Sequence, residues 1–171
     1  ALDRRGGALG RSLRHEAGAA AATLAERARY VLRGTGATDA LPGFGGGVPA
    51  LPLLGGVAAG QGALNFLPDG DGSVRRVPLL LRVGDRLLPS LVAEMLRVSR
   101  GESNVVLRAA TVGGGLDEWR IGDLALPTTA SGELWLHYSG PVPERRIPAW
   151  KLLQSEVPQA ELQGRMLLVG S

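Results

Sequence analysis

Residues 40–68 carry no charged side chain and are numerous enough to cross a bilayer, yet they are interrupted throughout by helix breakers. The breakers are Pro42, Pro49 and Pro52 together with Gly43, Gly45, Gly46, Gly47, Gly55, Gly56, Gly60 and Gly62. A helix of that composition would strand unpaired backbone groups in hydrocarbon, each at a cost of several kcal/mol. The stretch therefore predicts a loop followed by buried segments, not a membrane span.

The rest of the composition suits a single compact domain: 171 residues, 44% hydrophobic and 20% charged. Basic residues occur singly or in pairs such as Arg75 and Arg76, with acids among them, and aromatics make up only 4%. Nucleic-acid binding would cluster the cations and interleave aromatics, so that class is excluded. The absence of cysteine removes disulfides, thiol nucleophiles and thiolate metal sites, without fixing the compartment. No charged stretch leads into an apolar core and a small-residue cleavage site at the start, so a receptor reading requires an excised piece of a longer chain.

Leu9, Leu13, Ala17, Ala20, Leu24, Ala28 and Val31 recur at steps of four and three, predicting one stripe of a long helix that stops at Gly34, within a helical segment over residues 1–41. Residues 61–67 read as a strand, 68–73 as a tight turn and 74–83 as the returning strand of a hairpin, closed by Gly84 and Asp85. Ser90 is placed to cap a short helix whose apolar face is Leu91, Val92, Met95 and Leu96 and whose end is near Gly101. A hairpin around Gly122 and Asp123, a strand at 134–138 and short helices at 147–154 and 159–162 follow. Residues 166–169, apolar on both faces, predict a buried central strand. The fold class is α/β, a single domain with a mixed β-sheet flanked by helices.

Asp69, Gly70, Asp71 and Gly72 invite a calcium-loop reading, but neither register supplies a terminal glutamate, since Leu80 or Pro78 would stand there. Asp69, Asp71 and Gly72 are therefore read as a structural turn, with no metal. On a strand Arg75 shares a face with Val77, Leu79, Leu81 and Val83, whereas Arg76 shares one with Pro78, Leu80 and Arg82. Arg75 on the apolar side needs Asp69 or Asp71 as partner, so Arg75→Ala should destabilise more than Arg76→Ala. The competing functional reading makes Arg75, Arg76 and His137 candidate ligand-binding residues, with Arg75 or Arg76 binding an anionic group.

His15 falls in the helix pattern, and His137 alternates with Leu136 and Tyr138. Neither sits in a visible catalytic or zinc constellation, and Gly113, Gly114 and Gly115 lack the strand and helix of a phosphate loop. Trp119, Trp135 and Trp150, in different elements, read as core or interface aromatics rather than a ligand cage. No catalytic residue and no cofactor is implied; the alternative is a periplasmic hydrolase or transferase using Asp69, Asp71 and Glu133.

From residue 49 onward the order of motifs carries a resemblance. Residues 49–54, residues 58–65, the run DGDGSVRRVP at 69–78 and the Pro89, Ser90, Leu91 helix start resemble the CHASE domain of the second type, a cyclases/histidine kinases associated sensory extracellular domain. Residues 134–140 (LWLHYSG) and 162–171 (LQGRMLLVGS) are similar to its later strands, with His137 where asparagine is common. The resemblance implies an extracytoplasmic module between transmembrane helices, feeding a cytoplasmic adenylate or guanylate cyclase, histidine kinase or serine/threonine kinase. It implies a small-molecule or environmental stimulus, no nucleic acid, room for a homodimer, and a domain that continues past Ser171. Residues 1–41 lie outside it.

Overall fold

Glycine and proline punctuate the chain so often that regular elements are short, and the computed structural model, which describes residues 7–15 and 27–170, bears this out. Arg5–Leu136 forms one compact unit, and His137–Ser171 belongs to a second.

The larger unit begins with β1 (Ala8–Arg11), β2 (Leu13–Arg14), β3 (Arg29–Arg33), β4 (Gly43–Phe44) and β5 (Gly46–Gly47). The long helix expected across this region is corrected at both of its described ends. Leu9 and Leu13 lie in β1 and β2, and Val31 lies in β3, while Ala17, Ala20 and Leu24 fall outside the described residues. In so alanine- and leucine-rich a segment a four-and-three spacing arises from composition alone, whereas Gly7 and Gly10 disfavour helix and Tyr30 and Val31 favour strand.

The uncharged stretch continues into α1 (Pro52–Val57) and β6 (Gly60–Ala63), whose four residues are all buried. No helix among the described residues is long and apolar enough to cross a membrane. Then come β7 (Arg76–Pro78), β8 (Leu80–Val83), β9 (Arg86–Pro89) and α2 (Leu91–Arg100). β10 (Asn104–Ala109), β11 (Leu116–Ile121), β12 (Leu124–Pro127) and β13 (Glu133–Trp135) complete the unit.

Pairing is mixed, as expected from the sequence, and is spread over several small sheets. β1 pairs parallel with β6, β4–β8–β9 form a three-stranded sheet, β13 pairs antiparallel with β7, and β12–β11–β10–β3 form a four-stranded sheet. The expected hairpin is half right. Its turn forms, with the Asp69 N–H donating to the Ser73 carbonyl at 2.8 Å and Gly72 at φ 80°, where a side chain would be strained. Its flanks do not pair with each other, because Pro68 and Pro78 lack ladder donors and more distant strands take β6 and β7.

β8 is the strand that is apolar on both sides. Leu80 joins a core with Leu79, Val105, Leu107, Leu116, Trp119 and Ile121, whereas Leu81 and Val83 join a second with Leu13, Phe44, Ala63 and Leu88. Burying those leucines contributes roughly 1.5–3 kcal/mol each.

The smaller unit carries a 3-10 turn (Pro143–Arg145), α3 (Ala149–Leu153) and α4 (Gln159–Leu162), close to expectation. The expected central strand at 166–169 is corrected: those residues are in no strand and are exposed, Leu168 by 78%. An apolar run reports that a segment can be buried, but a central strand needs a neighbour on each side, and no described strand pairs with it.

Candidate functional site

The Asp69–Ser73 turn delivers two aspartates to the arginines that follow it. Arg75 Nη1 donates to Asp69 Oδ2 and to Asp71 Oδ1, each at 3.0 Å, and Arg75 Nη2 donates to Asp71 Oδ2 at 2.7 Å. Arg76, the first residue of β7, donates through Nη2 to Asp69 Oδ1 at 2.6 Å and through Nη1 to Glu133 Oε2 at 3.3 Å. Glu133 is buried on β13 and also accepts from the Ser131 hydroxyl at 2.7 Å. The Arg76 guanidinium lies 5.4 Å from the Trp135 ring centroid, a cation–π contact across the same two strands.

Alternation placed Arg75 on the apolar side, but the strand begins only at Arg76, and a bend at Leu79 separates β7 from β8. Arg75 is thus the more exposed of the pair, and Arg76 is the one that bridges elements.

Hydrogen bonds from Arg76 and then Arg75 hold the Asp69 carboxyl below the usual range, and the Arg75 bond, helped by the Ser73 N–H, holds Asp71 at about 2. Both are fixed as carboxylates at neutral pH, the opposite of what a general acid requires. Three carboxylates surround two guanidiniums, so the cluster has no positive charge left over for an anion. The arrangement is a latch between the turn, β7 and β13. His137 is exposed, two residues past the end of β13, and is counted with the second unit. Trp119 is buried in the core, whereas Trp135 and Trp150 are exposed.

A second ionic cluster lies inside the larger unit and was not anticipated from the sequence. On α2, capped by the Ser90 hydroxyl and ending in left-handed Gly101, the buried face is Ala93, Glu94 and Arg97, while Val92 is exposed. Arg97 grips Glu94 bidentately at 2.8 and 2.7 Å and donates to the Glu102 and Ala59 carbonyls at 2.7 and 3.2 Å. The Glu94 bonds raise the Arg97 pKa. Arg11 on β1 is 3% exposed, and none of its guanidinium nitrogens has a hydrogen-bond partner among the described residues. Burial lowers its pKa, and the charge of Glu94 opposes that shift. The legible signals were the three-residue spacing of Glu94 and Arg97 and the glycines Gly60, which makes room for the Glu94 side chain, and Gly62, which lets the start of α2 approach β6.

The family model of the CHASE2 domain matches residues 6–171. The chain belongs to the CHASE2 family. No curated protein and no solved structure matches it. CHASE2 domains are extracellular sensory domains, so this one is a sensory module. The CHASE2 match includes residues 6–48, which the motif resemblance had left unplaced, and runs through residues of both units.

Proposed function

We propose that this CHASE2 domain is the extracytoplasmic input module of a bacterial transmembrane receptor, held outside the inner membrane and regulating a cytoplasmic nucleotide cyclase or histidine kinase. The family match over residues 6–171 carries this reading. The ionised state of Asp69 and Asp71 supports it against a carboxylate-based hydrolase, which would need one acid kept protonated. Stimulus binding would bias the domain between two packings, and flanking membrane helices would pass the bias inward.

The domain has no cysteine, so Ser73→Cys in the exposed turn gives a single topological probe in this domain once any cysteines elsewhere in the full-length protein are replaced by serine. A membrane-impermeant thiol reagent should label Cys introduced there in intact cells whose outer membrane is permeable to it. Labelling only after lysis of the inner membrane would overturn the proposed location. Purified full-length protein without cyclase or kinase activity would overturn the proposed output.

A further inference from the structure

In the four-stranded sheet, register places Arg33 of β3 directly opposite Arg108 of β10, which in turn faces Glu118 of β11. Residues opposite one another share a face, so this side of the sheet carries Val31, Arg33, Val106, Arg108, Glu118 and Arg120. The other side carries the core residues Val105, Leu107, Trp119 and Ile121. Like charges directly opposite on neighbouring strands are destabilising, and nothing in the core requires this pair.

The available acids serve only part of the group. Arg108 pairs with Asp117 at 2.9 Å and Glu118 at 3.3 Å, the former through a bulge beside Ala109, and Arg120 pairs with Glu118 at 2.9 Å. Arg33 has no ion-pair partner among the described residues and is exposed. Arg33, Val106, Arg108, Glu118 and Arg120 line an open basin of about 370 Å³. Of the three guanidiniums in the basin, those of Arg108 and Arg120 share Glu118, and Asp117 reaches Arg108 alone. Paired arginines with an unmet positive charge in a concavity match the forked hydrogen-bonding demand of an oxyanion.

We propose that this basin binds a soluble, doubly charged oxyanion such as a phosphate group, with Arg33 and Arg108 bridging its oxygens and Arg120 at its edge. Bound anion would turn the repulsion between Arg33 and Arg108 into a shared attraction. Its role as the stimulus of the sensory module rests on the proposed function, but binding itself does not, and the following test reads binding alone.

The melting temperature of the 171-residue chain is measured against inorganic phosphate, with sodium chloride at matched ionic strength as reference. Phosphate at ten times its Kd should raise the midpoint by roughly 3–5 °C above the chloride reference. Arg33→Gln should leave the midpoint without phosphate unchanged or higher, because repulsion is relieved, and should remove most of the phosphate increment. Arg145→Gln, on the exposed 3-10 turn, should keep the increment. An equal rise in chloride, an undiminished increment in Arg33→Gln, or a lower starting midpoint for that variant would each overturn the proposal. Cosedimentation with phosphatidylglycerol vesicles without any response to free phosphate would also overturn it, assigning the face to a membrane surface.

Discussion

Gly60 of β6 lies directly against the carboxylate of Glu94 on α2, so that a Cβ at position 60 would overlap Oε1 and stand 2.6 Å from Cγ. Glu94 cannot move aside freely, because Arg97 holds both of its oxygens in a buried pocket. Gly60→Ala should therefore cost about 3 kcal/mol through overpacking and disturbance of the pair. Chemical denaturation of the variant checks this, and a loss well under half that value would show that α2 can shift away.

Removing the charge of Glu94 has a different consequence from crowding it. Glu94→Gln leaves Arg97 and Arg11 buried without a counter-charge, and truncating one partner of a buried ion pair costs about 3–5 kcal/mol. Replacing Glu94 by Leu and Arg97 by Met together should recover part of that loss. A double-mutant cycle measures the coupling, and additive losses would contradict the pairing described.

Between the two neighbouring arginines, the order expected from strand alternation should be reversed. Arg76→Ala strips the buried Glu133 of its cation and releases Trp135, whereas Arg75→Ala removes two solvent-screened pairs, with Asp69 and Asp71. Thermal melts of the two variants should show a larger loss for Arg76→Ala than for Arg75→Ala. Equal midpoints would argue that the latch contributes no stability.

Asp71 provides a pH signature. Its folded value of about 2 lies below the ordinary aspartate value of about 3.9. A depressed folded-state pKa gives stability that is present above the unfolded value and lost as pH falls through the folded one. The advantage of the parent over Asp71→Asn should accordingly be constant near neutral pH and vanish between about pH 4 and pH 2. Melting curves of both proteins across that range test it.

Much of the fold was legible where local chemistry decides it. The Ser90 cap, the Gly122 and Asp123 hairpin, the turn at Asp69 and the two short helices of the smaller unit follow from capping and turn residues alone. The motifs from residue 49 onward also led to the family that the whole-chain match established. Partner choice was not legible: β6 joins β1 rather than the adjacent β7, and the run at 166–169 finds no strand to pair with. Of the ionic clusters, Asp69 with Arg75 could be read because they are close in sequence. Arg76 with Glu133, and Arg33 opposite Arg108, are separated by too many residues for spacing to reveal them.

The three-residue ladder between β13 and β7 also has a mechanical meaning. β13 is the last strand before the chain passes to His137, so tension applied from that side reaches the larger unit at Trp135 and Leu136. There it meets the Leu136 N–H bond to the Arg75 carbonyl at 2.8 Å, then the short ladder, then the Arg76–Glu133 pair. Those few bonds are what joins the strand leading to His137 to β7, and β8 and its sheet neighbours supply none of them.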